Sequence, residues 1–143
     1  MKSVNKAAAR VFEAVVRMIP EGKNSTVLDH GKQAEGGSVM ALHVEKIGSR
    51  KNGDFYSFAH YYEQNGDLMR DPDVVMLRVC PSVLASEPIF FPTAYRQDGL
   101  GIDREYVTFE ESGYRIAKHA QADLAVFCGQ WAKNLKEQQA IEA

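Results

Sequence analysis

The residues best equipped for chemistry lie together at mid-chain, in the run His60-Tyr61-Tyr62-Glu63-Gln64-Asn65-Gly66-Asp67-Leu68-Met69-Arg70-Asp71-Pro72-Asp73. A histidine held between carboxylates binds its proton more tightly and can serve as general acid or base. Which side chains meet depends on two asparagine–glycine pairs, since both residue types tolerate the positive φ of a tight hairpin. If Asn65-Gly66 is a two-residue turn, Glu63 faces Leu68, Tyr62 faces Met69, Tyr61 faces Arg70 and His60 faces Asp71. If Asn52-Gly53 is another, Glu45 faces His60 and His43 faces Tyr62. One sheet face then carries His43, Glu45, His60, Tyr62 and Asp71, with the pKa of His60 raised. The competing reading is a solvated face of cross-strand ion pairs, the usual condition of antiparallel sheet. Gly48-Ser49 could also lengthen the first loop and exchange the two faces.

Other chemistries find less support. Asp67, Asp71 and Asp73 are spaced loosely like metal ligands, but a calcium loop also needs a late glutamate and a glycine at its sharp turn. Asp71-Pro72-Asp73 reads instead as turns closed by side chain to backbone bonds. Cys80 and Cys128 form no CxxC or zinc spacing, and both fall in apolar runs, which implies two reduced, buried thiols. Nucleophile elbows, HExxH, phosphate loops and GxGxxG are missing from the sequence. His30 in a loop and His119 on the last helix have no evident partner. The aromatic set Phe55, Tyr56, Phe58, Tyr61, Tyr62, Phe90, Phe91, Tyr95 and Tyr106 could stack bases. Aromatics on strands more often form core, and the only local basic group, Lys46, Arg50 and Lys51, fits a solvated hairpin end. No catalytic residue, metal or cofactor is therefore expected.

The elements that must position the motif follow from periodicity. The chain has 143 residues, 45% hydrophobic and 25% charged, with a formal net charge of -2. That length fits one domain, and the composition excludes disordered, collagen-like and repeat classes. The mild acidity excludes a general nucleic-acid binder. With no apolar signal segment and no run approaching the ~20 residues of a membrane span, the chain reads as cytoplasmic. Val4, Ala8, Val11, Phe12, Val15 and Ile19 predict a helix over 3–19, capped by Ser3 and stopped by Pro20 and Gly22. A loop over 22–38 follows, with Thr26-Val27-Leu28 as a short strand within it. Strands are predicted over 39–47, 55–63, 74–80 (after an irregularity at Pro72), 89–97 and 104–109. Asp98-Gly99-Leu100-Gly101 is a turn. A helix from Gly113 onward, capped by Ser112, aligns Ile116, Ala120, Leu124, Phe127, Trp131 and Leu135. The expectation is an α+β domain: N-terminal helix, antiparallel meander of about five strands, long C-terminal helix, both helices on one sheet face. Its core is expected from Val11, Phe12, Val15, Leu42, Val44, Leu77, Val79, Leu124, Phe127 and Trp131.

Residues 60–73, with Tyr95-Arg96-Gln97-Asp98-Gly99-Leu100-Gly101 downstream, resemble an uncharacterised bacterial domain family with the pattern HYYEQNGDLMxDP…QDxLG. Shared positions are His60, Tyr62, Glu63, Asn65, Gly66, Asp67, Asp71, Pro72, Gln97, Asp98 and Gly101, and the likeness spans about 38–109. The resemblance implies a protein of plasmids, phages and integrative elements, with no catalytic residue to carry over. A weaker analogy holds with plasmid anti-restriction proteins, which share small size, mild acidity and a YY…G…P hairpin. The expected role is a non-catalytic accessory protein that binds another protein through His60, Tyr62, Glu63, Asn65, Asp67, Asp71, Asp73, Gln97 and Asp98; a homodimer is left open. The alternatives are a small metal-dependent or acid–base hydrolase using His60 with Asp67 and Asp71, and single-stranded nucleic-acid binding on an aromatic sheet face.

Overall fold

The computed structural model describes residues 1–30, 40–82 and 87–143. Val39 and the second part of the predicted 22–38 loop, residues 31–38, fall outside them. Helix α1 spans Lys6–Val16 and is followed by strands β1 Ser25–Leu28, β2 Leu42–Arg50, β3 Gly53–Gln64, β4 Asp67–Val79 and β5 Ile89–Gln97. A 3-10 turn at Asp98–Leu100 leads to β6 Ile102–Glu105, β7 Val107–Glu110, β8 Gly113–Ile116 and helix α2 Lys118–Gln138. Strands β1 to β6 form one antiparallel sheet in sequential order, and β7 pairs with β8 in a separate hairpin. The α+β architecture thus follows the sequence expectation, with one more strand in the meander and an added hairpin.

Both helices cover one sheet face. Alternation places Leu42, Val44, Tyr56, Phe58, Val74, Met76 and Phe90 on that face, where they pack with Val11, Phe12 and Val15 of α1 and Leu124, Cys128, Trp131 and Leu135 of α2. Phe12 sits at the middle, in ring contact with Phe58, Phe90 and Trp131. Leu77 is buried as expected but on the other face, outside this cluster, whereas Val79 is half-exposed and Phe127 is exposed, contrary to expectation. Cys128 is buried, which pushes its thiol pKa up, whereas Cys80 is exposed, contrary to expectation.

Local chemistry explains the shifted boundaries. Val4 donates its amide to Phe90 O, holding the chain extended, so α1 starts later and its cap is Asn5 rather than Ser3; Asn5 Oδ1 accepts from Ala8 N at 2.8 Å. The expected strand 104–109 breaks at Tyr106, whose amide bonds Thr93 O while its carbonyl accepts from Ala117 N. Gly113, placed at the predicted helix start, opens β8 instead with φ 155°, and α2 begins after Ala117, not at Ser112. The first hairpin turns at Lys51-Asn52, leaving Arg50 opposite Gly53. Neither Asn52 nor Gly53 has positive φ. Gly53 serves close strand approach, since a Cβ there would lie 2.5 Å from Arg78 O.

Candidate functional site

The β3–β4 hairpin is built as its sequence dictates. Asn65 and Gly66 adopt φ 53° and 85°, and the pairs Gln64–Asp67, Glu63–Leu68, Tyr62–Met69 and Tyr61–Arg70 follow. Beyond Tyr61 the register shifts, so that Asp71-Pro72 together oppose His60 and Ala59 pairs with Asp73. Proline has no amide to donate, which places this bulge where the sequence carries it.

The bulge distributes the motif's side chains in different directions. Asp71 accepts from Gln97 Nε2 at 2.9 Å, and Gln97 Oε1 accepts from Tyr95 OH at 2.6 Å. Asp73 lies on the face away from the helices and accepts from Ser57 Oγ at 2.6 Å. Asp98 takes three bonds from Arg70: backbone N at 2.8 Å, Nε at 3.0 Å and a terminal guanidinium nitrogen at 2.7 Å. These bonds, the side-chain ones foremost, hold the Asp98 carboxyl at about 2 and raise the Arg70 pKa. The 3-10 turn is therefore fastened to the edge of β4. Gly99 lies against Tyr62, and a Cβ there would stand 2.6 Å from the Tyr62 hydroxyl and displace it.

His60 turns to the helix face and is 4% exposed. Its Nδ1 lies 2.8 Å from Ala41 O, and Trp131 Nε1 donates to its Nε2 at 3.2 Å. The indole can only donate and the carbonyl can only accept, so the partners select the neutral tautomer protonated at Nδ1. Burial lowers the His60 pKa, opposed by Ala41 O and the Asp71 charge and reinforced by His43. The expected raised pKa is thus overturned. The register is the reason: Glu45 faces Ser57 and His43 faces Ala59, so neither meets the residue predicted for it. His43 instead packs edge-on against Tyr61 with ring centroids 4.9 Å apart, on the open face; burial lowers its pKa against the pull of Asp29.

The remaining residues stand at the tip. Glu63, Gln64, Asn65, Gly66, Asp67 and Leu68 are exposed, Leu68 at 66%, and Tyr62 is half-buried behind them. The motif accordingly does not converge on one concave site. Asp71 joins Gln97, and Asp98 joins Arg70; His60 is remote from the tip, Asp73 binds Ser57, and Glu63, Asn65 and Asp67 face solvent. Among the described residues no three His, Cys, Asp or Glu side chains are grouped to hold a metal ion. A hollow of about 350 Å³ between the β7–β8 hairpin and the open face is lined by Ile47, Phe55, Val75, Ala94, Arg96 and Phe109 and includes none of the candidate site residues. The aromatics are divided as well. Phe58 and Phe90 are core, and Phe55 packs on Phe109, so they offer no continuous stacking surface.

Two partners escaped the sequence reading. Helical spacing places Trp131 in the core, but its buried indole N–H also requires an acceptor, which His60 supplies. Arg70 gave no signal, because its partner Asp98 lies in a turn whose direction no local pattern encodes.

Comparison with known families adds one match: DUF6908, a domain of unknown function, over residues 12–141. The chain belongs to the DUF6908 family. No curated protein and no solved structure matches it. As a DUF6908 chain it is matched from within α1 to beyond the end of α2, so the family span includes the end of α1, the entire meander and α2. No helix is long and apolar enough to cross a membrane among the described residues.

Proposed function

We propose that this DUF6908 chain is a non-catalytic accessory protein of a mobile genetic element, working in the cytoplasm by binding another protein through the tip of the β3–β4 hairpin. The observation that carries the reading is the division of the motif. Its inner residues His60, Asp71, Asp73, Gln97 and Asp98 are each engaged in hydrogen bonds within the fold. Its outer residues Glu63–Leu68 are exposed and present a leucine beside Asp67 and opposite Glu63. An exposed apolar side chain held in strand β4 beside a two-residue turn loses little backbone entropy on binding, which favours a recognition role. The mobile-element setting rests on the resemblance of residues 60–73 and 95–101 to the plasmid and phage family; the analogy to anti-restriction proteins agrees with a protein target.

An acid–base or metal-dependent hydrolase using His60 with Asp67 and Asp71 draws no support from the geometry. Both ring nitrogens of His60 are engaged, and Asp67 lies at the tip while Asp71 bonds Gln97. The test of the binding reading is affinity capture from bacterial lysate with the wild type and the Asp67→Lys/Leu68→Asp double variant, retained proteins being identified by mass spectrometry. A partner held by the wild type should be lost from the variant. Equal retention by both would overturn the assignment of the tip.

A further inference from the structure

The two edges of the six-stranded sheet are unequal. Strand β6, Ile102-Asp103-Arg104-Glu105, carries three charges in four residues, and Asp103 pairs with Arg96 at 3.0 Å. Charge at an edge discourages pairing with another strand. Strand β1, Ser25-Thr26-Val27-Leu28, has neither charge nor proline, and its outer side pairs with no described strand. Val27 is 52% exposed. Exposed Met18, Met40 and Ile47 come from the segments around it: the lead from α1 into β1, the approach to β2, and the β2 bulge.

We propose that β1 is a dimerisation edge whose partner is a second copy of this chain, independent of any role for the hairpin tip. The backbone direction makes β1 self-complementary. Lys46 N donates to Asn24 O at 2.8 Å, so the even-numbered residues 24, 26 and 28 direct their polar groups at β2. Alternation leaves Ser25 and Val27 with amide and carbonyl pointing outward. A two-fold axis through Thr26, perpendicular to the sheet, sets Ser25 of one copy opposite Val27 of the other. Ser25 N–H then donates to Val27 O, Val27 N–H donates to Ser25 O, and the symmetry repeats both bonds. All helices stay on one side of the joined sheet, because opposed residues share parity. Pairing of β1 with β6 would leave edges free and extend into fibres; β1 with β1 closes the assembly and leaves only charged edges.

The experiment is sedimentation velocity of the full chain from low micromolar to several hundred micromolar, with Val27→Lys, Val27→Pro and, as a control, Val126→Lys on exposed α2 surface. Val27→Pro removes an outward amide and no bond to β2. The wild type and the control should reach twice the monomer mass, while both Val27 variants should need at least about tenfold more protein to do so. A parallel hydrogen-exchange series on the wild type should show protection of the Ser25 and Val27 amides rising with protein concentration, a readout that needs no substituted protein. A monomer throughout the range overturns the proposal. So does a dimer that Val126→Lys disrupts and the Val27 variants do not, or protection at Ser25 and Val27 that ignores concentration.

Discussion

His60 and Trp131 meet through a bond that only the neutral imidazole can make. A second ring proton would sit on Nε2, facing the indole donor. Because the folded pKa lies below the ordinary 6.5, the unfolded chain takes up the proton first. Stability from this contact is complete above about pH 6.5 and is lost as pH falls toward the depressed folded value. Acidification from about pH 7 to pH 5 should lower the melting temperature, and His60→Gln should flatten that dependence; His43, also depressed, contributes in the same direction. His60→Ala should cost about 2–4 kcal/mol in denaturant titrations, from the lost packing and from orphaning Ala41 O and the indole N–H. Asp98 acts in a lower window: its carboxyl, held at about 2, stabilises the fold above the usual carboxylate range and releases it as pH falls through that value. The types of these residues were legible as a chemical cluster. Their roles were not, because each depends on a partner 19 to 71 residues away, as the Ala41 and Trp131 contacts of His60 show.

Elements were read best where a local rule dominates. The Asn65-Gly66 turn set its hairpin register as expected for Glu63–Leu68, Tyr62–Met69 and Tyr61–Arg70, the bulge displacing the fourth expected pair, His60–Asp71, and β5 appears over its predicted span. Registers set by a bulge were lost, since an extra residue at Ile47 leaves no trace in alternation that Gly48-Ser49 would not also explain. Between elements, Glu13 of α1 takes Arg78 of β4 in a bidentate pair at 2.6 and 2.8 Å, with Arg17 adding a third bond. Burial acts to raise the Glu13 pKa, but the two arginines outweigh it and hold the carboxyl below its usual value. Glu13→Ala should therefore cost about 2–4 kcal/mol by chemical denaturation, leaving Arg78 half-buried and unpaired. Where α1 meets α2, a Cβ at Gly129 would lie 2.9 Å from Asn5 Nδ2. Gly129→Ala should displace the α1 cap, and the gain of about 1 kcal/mol in helix propensity should offset that loss, leaving stability within about 1 kcal/mol of the wild type by chemical denaturation.

At the scale of the whole molecule, the core gathers α1, α2 and strands β1 to β5 around Phe12, and Trp131, the sole tryptophan, lies within it. Unfolding should be one transition, with Trp131 fluorescence and far-ultraviolet circular dichroism coinciding. Helix amphipathicity and strand alternation made this layering legible from sequence. The β7–β8 hairpin was hidden because Val107–Phe109 continues the alternation of β6 and Gly113 resembles a helix start. The motif's inner half holds the fold together and its outer half does not. The most direct measurement is thermal melting of Asp98→Ala and His60→Ala beside Asp67→Ala and Leu68→Ala. The first pair should melt well below the wild type and the second pair with it. Tip variants that melt as early as the inner ones, or inner variants that melt with the wild type, would contradict it.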